Sequence, residues 1–280
     1  MHCSTFEIMG NGNAIANEWV NTESCTLHSE YLNRLVQFDV YLPIQVNSSE
    51  PCSLLLINDC QALEKIDFKH MLAKSYSVQQ IDPIVCVGIH CGVNRKMEYG
   101  TAYSADYLGR GAHAGLYTKF ILDELIPFIR KKTAIHSFKD KSFAGFSLGG
   151  LSALDIVWNH ASEFLKIGIF SASLWWRRKS YEDGYDEEND RLMHLQIRKG
   201  KFHPWLQFFI QCGALDEKAD RNNNGIIDAI DDSLDLVVAL KAIGYTNDHI
   251  QYMELADGKH DMATWARVLP NFLQWGWGRK

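Results

Sequence analysis

The chain lacks the marks of several large protein classes. It has no basic excess: 28 Lys and Arg stand against 34 Asp and Glu, a net charge of −6. The two signs are interspersed, so no electrostatic footprint for nucleic acid exists and no such partner is expected. The acidic stretch from Glu182 to Asp190 reads as a solvated loop or helix start. No apolar run is long enough to span a bilayer, and Met1 to Glu7 shows no basic segment leading into an apolar one. A membrane partner and a secretory leader are therefore not expected, and the expected location is cytoplasmic. No C-x-x-C pair occurs, which argues against a zinc ribbon or a dithiol redox motif. The seven cysteines (Cys3, Cys25, Cys52, Cys60, Cys86, Cys91 and Cys212) are odd in number and irregular in spacing, as expected of reduced thiols. His90-Cys91 offers two metal-ligand types, but reads rather as a pair of adjacent core residues at a strand end. Internal repeats and low-complexity linkers are also missing.

What is present is the composition of an ordinary globular protein, 46% hydrophobic and 22% charged. At 280 residues it reads as an N-terminal extension over 1–23 and one domain over 24–280. Cys25–Ser29 and Leu35–Leu42 alternate apolar with polar residues, which predicts an antiparallel hairpin of half-exposed strands. Ser53–Ile57, Ile84–Ile89 and Ile167–Ser171 are continuous apolar runs, as in strands covered on both faces. Leu206–Cys212 and Ile250–Leu255 read as further strands. Helices are expected over Gly115–Lys132 with a kink at Pro127, over 188–200, over Ser233–Ile243, and over Met262–Trp275 broken at Pro270. Strands alternating with helices predict an α/β domain with a mostly parallel sheet, helices on both faces and an antiparallel N-terminal hairpin.

The chemistry centres on Gly145-Phe146-Ser147-Leu148-Gly149-Gly150. This is a G-x-S-x-G elbow, with an apolar strand before it and helical spacing after it. A serine on such a tight strand-to-helix turn stands clear of the backbone, and the glycines remove Cβ atoms that would clash. A serine hydroxyl is a weak nucleophile. It needs a histidine to take its proton and a carboxylate to orient that histidine, in the chain order Ser, Asp or Glu, His. Asp216 follows the strand Leu206–Cys212, and His260 follows the strand Ile250–Leu255; Glu217 and Asp220 are the rival acids. Of two expected oxyanion donors, one is the amide of Leu148. The other lies near Asp59, Cys60 or Gln61 after the strand Ser53–Ile57.

These pieces resemble the esterase D-type branch of the α/β hydrolases. That branch includes S-formylglutathione hydrolases, feruloyl and acetylxylan esterases, enterobactin-type trilactone esterases and mycolyltransferases. The matching segments are Thr26-Leu27-His28-Ser29 with Val40-Tyr41-Leu42-Pro43, Asn58-Asp59-Cys60-Gln61, Glu124 to Ile129, and the elbow. Gly213-Ala214-Leu215-Asp216 and Gly258 to Trp265 complete the set. The resemblance implies the α/β-hydrolase fold and the triad Ser147, Asp216 and His260. It also marks a departure, since Cys60 stands where relatives often carry the glycine of Asp-Gly-Gln.

A second motif runs from Asp220 to Asp231. Asp220, Asn222, Asn224, Asp228 and Asp231 fall at positions 1, 3, 5, 9 and 12 of a calcium loop. Gly225 falls at position 6, and Ile226 offers the position 7 carbonyl. The loop resembles those of EF-hands and dockerins, with a shorter aspartate at position 12. A structural Ca²⁺ stiffening the segment behind Asp216 is the expectation, and no organic cofactor is implied. Trp175 and Trp176, after the strand Ile167–Ser171, are candidates for stacking on a sugar or aryl group. The reading is a serine carboxylic-ester hydrolase working through an acyl-enzyme on a small-molecule ester. Acyl transfer and siderophore trilactone hydrolysis are alternatives on the same residues. A non-catalytic scaffold on this fold is the alternative of another class. Nothing in the sequence gives the acyl group or the oligomeric state.

Overall fold

The computed structural model describes residues 18–44 and 52–279. Eight strands form one sheet in the order β1-β2-β4-β3-β5-β6-β7-β8. They are β1 (Val20–Ser29), β2 (Arg34–Pro43), β3 (Ser53–Asn58), β4 (Ile84–Ile89), β5 (Lys141–Phe146), β6 (Lys166–Phe170), β7 (Gln207–Leu215) and β8 (Ile250–Lys259). β1 pairs antiparallel with β2, and β2 antiparallel with β4; every other pairing is parallel. This is the expected α/β architecture. The first strand begins at Val20, inside the segment read as an extension; residues 1–17, with Cys3, lie outside the described residues.

The continuous apolar strands separate two cores by alternation, since successive side chains point to opposite faces. Leu54 and Leu56 of β3, and Val85, Val87 and Ile89 of β4, enter the first core. Leu55, Ile57, Ile84 and Cys86 enter the second. The first core is covered by α1 (Ala114–Lys119), α2 (Ile126–Thr133), α3 (Leu148–Asn159), α4 (Leu192–Lys199) and α5 (Asp228–Ala242). The second lies under the helix Phe68–Ser77 and α6 (Met262–Trp277). The six cysteines in the described residues are free thiols. No helix there is long and apolar enough to cross a membrane.

Four helices differ from expectation; the one read over 188–200 is divided at the extended Arg191 into Glu187–Asp190 and Leu192–Lys199. The segment around Pro127 does not simply kink: a π-helical turn, Phe120–Leu125, separates α1 from α2. Pro127 sits in the first turn of α2, where its missing N–H costs least. Pro270 does not break α6, which runs unbroken through it. Burial of Val268, Leu269, Phe272 and Leu273 around it outweighs a proline cost of about 3 kcal/mol. α5 starts at Asp228, five residues before Ser233, so it begins within the Asp/Asn loop.

Candidate active site

β5 ends at Phe146 and α3 begins at Leu148, so one residue makes the whole turn. That residue is Ser147, at φ 53° and ψ −123°. A side chain at positive φ is strained, and such strain persists only where the surroundings impose it. Here they do. A Cβ on Gly145 would lie 2.3 Å from the Gly149 carbonyl oxygen, and one on Gly150 would lie 2.8 Å from that of Gly145. The Ser147 amide donates to Phe170 O (2.9 Å), and its carbonyl accepts from Ser173 N (3.1 Å). Ser147 itself is half-buried.

β7 and β8 bring the other two candidates together. Leu215 pairs with Lys259 across a register shift that begins at Gly213, and Asp216 and His260 are the next residue on each chain. The close approach depends on two glycines. A Cβ on Gly213 would meet the Gly258 backbone at 2.5 Å, and one on Gly258 would meet Gly213 Cα at 2.9 Å. Asp216 Oδ2 accepts from the Gly213 amide (3.1 Å), while its Oδ1 is buried with no hydrogen-bond partner. Asp216 and His260 are thus coupled by charge and not by a hydrogen bond. Protein around the imidazole pushes the His260 pKa below the ordinary value of 6.5, and the Asp216 charge pushes it back up. His260 as a whole is exposed to solvent. It stands edge-on to Trp265, whose indole N–H donates to Ser171 Oγ (3.0 Å). Trp265 is therefore a wall behind His260.

Asp216 and His260 line a cavity of about 240 Å³ together with Ser171, Ser173, Trp175, Glu217 and Asp232. Glu217 is raised from its ordinary pKa by burial and by the negative charges of Asp228, Asp232 and Asp216. Trp175 is half-exposed and carries the Arg110 guanidinium 5.0 Å over its ring. Trp176 corrects the expectation: it is fully buried and cannot stack on a ligand. Gly100 and Gly111 leave the space it fills, since Cβ atoms there would approach its ring to 2.8 and 3.0 Å.

The turn after β3 faces the elbow. Leu148 and Cys60 are each the first residue of a helical segment, so neither amide has a carbonyl within its own helix. Asn58 bridges the two segments. Its Nδ2 donates to Gly149 O (2.8 Å), and its Oδ1 accepts from the Tyr117 hydroxyl (2.6 Å). Asp59, at φ 64°, holds a bidentate ion pair with Arg95 at 2.7 Å on both oxygens. Arg95 also contributes to the field at His260. Gln61 turns aside, exchanging bonds with Cys91 through Nε2 to Sγ (2.5 Å) and Cys91 N to Oε1 (3.2 Å). Sequence reasoning gave Asn58, Tyr117 and Arg95 no role: Asn58 entered only as part of the Asn58-Asp59-Cys60-Gln61 turn, and the partners Tyr117 and Arg95 lie far from it in the chain.

The loop 220–231 gathers most of its predicted oxygen donors. Asp220 accepts from the amides of Asn224 and Gly225, and Asn222 and Asn224 both donate to Asp231 Oδ2. Ile226 N donates to Asn224 Oδ1 (2.8 Å). Asp228 departs from the expectation. It is buried, accepts from Arg221 N (2.9 Å) and pairs with Arg221 Nη1 at 3.3 Å, so that cation takes up its charge.

The family model described as "Putative esterase" matches residues 29–275. The chain belongs to this esterase family. It is accordingly a carboxylic ester hydrolase. No curated protein sequence matches it. Among solved structures it is similar to a ferulic acid esterase, at 19% identity and a TM-score of 0.67, covering 92% of this chain and 98% of that one. It is similar to the enterobactin esterase FES from Shigella flexneri, solved in the presence of enterobactin, at 19% identity and a TM-score of 0.70. That match covers 91% of this chain but only 58% of the larger enzyme. The siderophore hydrolase EstB from Aspergillus nidulans matches at 17% identity and a TM-score of 0.65, over 92% of this chain and 96% of its own. At these identities the neighbours share the α/β-hydrolase fold.

Proposed function

We propose that this esterase works through an acyl-enzyme on Ser147, with His260 as proton shuttle and Asp216 as its orienting acid. The observation that carries the reading is the enforced positive φ of Ser147 at the junction of β5 and α3. A backbone strain of this kind costs of order 1–3 kcal/mol, and its natural use is to present the hydroxyl. Ser147 attacks the ester carbonyl as His260 accepts its proton. Negative charge then develops on the carbonyl oxygen. The amides of Leu148 and Cys60 are the assigned donors to it, and Asp59 is kept from opposing that charge by its pairing with Arg95. His260 returns the proton to the leaving alcohol, and water repeats the cycle to release the acid. Asp216 Oδ1, buried and free, is the acceptor that His260 Nδ1 reaches as substrate closes the site; such bonds are often long before substrate binds.

The half-exposed Trp175 on the cavity wall supports an ester with a flat aryl or sugar group. Release of p-nitrophenol from a short-to-long acyl series, with Ser147→Ala alongside, tests the mechanism. Turnover that falls by about 10⁴–10⁶-fold in the variant is expected. Turnover that survives would overturn it, and acyl products formed with added alcohols would reveal transfer.

The loop 220–231 belongs to the same proposal as a structural Ca²⁺ site. Asp220, Asn222, Asn224, the Ile226 carbonyl and Asp231 are the ligands assigned, with Asp228 left to Arg221.

A further inference from the structure

Behind the turn that carries Cys60 lies a cluster the ester chemistry does not use. Asp39 sits on β2 opposite Gly88 of β4, and β4 lies between β2 and β3. The Cys60 side chain, from the end of β3, crosses over Gly88 to reach Asp39. A Cβ on Gly88 would lie 2.3 Å from Cys60 Sγ, so only glycine permits the crossing. His90 follows the end of β4 and comes to the same carboxylate. Cys60 Sγ is 3.2 Å from Asp39 Oδ2, and His90 Nε2 is 2.9 Å from that oxygen. All three donor atoms lie within 4.8 Å of one another, the only such His, Cys and carboxylate group among the described residues.

We infer that Asp39, Cys60 and His90 form a binding site for one divalent cation of the zinc class. The donor set is one thiolate, one imidazole and one carboxylate, the mixture that suits zinc and cobalt and not calcium or magnesium. Zinc bond lengths of about 2.0–2.3 Å place tetrahedral ligand atoms roughly 3.3–3.6 Å apart. The two separations above fall within a few tenths of an ångström of those edges. One supporting contact is of the kind that holds a ligating carboxylate in place, and another fixes the His90 backbone. Ser24 Oγ donates to the other Asp39 oxygen (2.5 Å), and the His90 amide donates to Gln37 O (2.9 Å). Cys60 and Asp39 are buried, while the His90 side chain keeps 15% of its surface exposed and gives the path inward. Binding replaces the Cys60 thiol proton, which leaves to solvent, and the fourth position remains for water. An ion held there ties the turn bearing the Cys60 amide to β2 and β4.

The rival is a metal-free hydrogen-bonded anchor, and cobalt separates the two. Metal-stripped protein is titrated with Co²⁺ while the near-ultraviolet thiolate-to-cobalt charge-transfer band and the visible bands are followed. One equivalent is expected to saturate the signal, and Zn²⁺ to bleach it. Cys60→Ser should lose the charge-transfer band, and His90→Gln should weaken Co²⁺ binding roughly tenfold or more. Circular dichroism checks that the variants fold, and the wild-type titration stands without them. No thiolate band at one equivalent would overturn the inference. So would a band that persists in Cys60→Ser, since Cys91 or another thiol would then be the ligand.

Discussion

The two halves of the candidate cleft are held in opposite ways. On the side of Ser147 and the turn 58–61, every element is tied down. Asn58 bonds both Gly149 and Tyr117, Asp59 is clamped by Arg95, Cys60 is bonded to Asp39, and Gln61 to Cys91. On the side of Asp216 and His260, the constraint is chiefly the backbone, helped by one Asp216 bond to the Gly213 amide and by the Trp265 ring beside His260. Paired strands and two glycines bring the loops close, while Asp216 Oδ1 lacks a partner and His260 is exposed to solvent. The difference follows from the work assigned to each half. Charge on an oxyanion is best met by dipoles already in place, because reorganising them would cost free energy at the transition state. A proton shuttle must swing between the serine and the leaving alcohol, so it cannot be locked.

The largest expected effect that tests this contrast lies in the looser half. Asp216→Asn should lower kcat by about 10⁴-fold through loss of imidazole orientation and of imidazolium stabilisation. Its pH profile tells more than its rate. In the proposed mechanism His260 acts as a neutral base, so kcat/KM should be lost as pH falls through its pKa. That limb should lie below the ordinary 6.5, because burial depresses the group. The Asp216 charge raises the same pKa, so removing it should move the limb to still lower pH. A limb that stays in place in the variant would show that the two residues do not interact in the working enzyme.

What the sequence made legible follows the same divide. The convergence of Asp216 and His260 was readable, because Gly213, Asp216, Gly258 and His260 are local motifs at strand ends. The elbow was readable for the same reason. The opposite half depends on contacts between distant residues: Asn58 with Tyr117, Asp59 with Arg95, and Cys60 with Asp39 across Gly88. None of these pairs has a spacing that announces it. Trp176 was misplaced because its cavity is made by Gly100 and Gly111, far off in the chain, whereas its neighbour Trp175 does reach the cleft. Pro270 misled because a local propensity was overridden by burial of α6 on both sides of it.

Gly258→Ala sharpens the comparison at intermediate size. Its methyl would meet Gly213 Cα at 2.9 Å and force β7 and β8 apart at the point where Asp216 and His260 converge. A displacement near 1 Å should cost about 10²-fold in kcat, with KM changed little. Stability should fall far less, and an equal loss in both would assign the glycine to folding. Asn58→Ala probes the tied half in reverse. It leaves the Gly149 carbonyl and the Tyr117 hydroxyl without their partner, each worth about 1–3 kcal/mol when buried. Thermal denaturation should show it, at about 2–4 °C for each kcal/mol in a chain of this size. An unchanged Tm would mean that the bridge is dispensable and that this half is less rigid than its contacts suggest.

The smallest expected effect concerns the loop 220–231, which begins four residues after Asp216 and runs into α5. If Ca²⁺ holds it, the looser half acquires from the ion the fixation that side chains supply to the other. A ligand bound only by the folded state stabilises by about 2.7 kcal/mol at a hundredfold excess over its Kd, so EGTA should lower Tm by several degrees. Activity should fall by a smaller factor, through loosening of the Asp216 segment, and both should return on adding Ca²⁺. Asp231→Ala should abolish the response to EGTA, whereas Asp228→Ala should keep it, because Arg221 and not the loop centre holds that carboxylate. A Tm and a turnover both indifferent to EGTA would leave the loop as a self-bonded cap on α5. The relay half would then be mobile by construction, with substrate closure as its sole source of order.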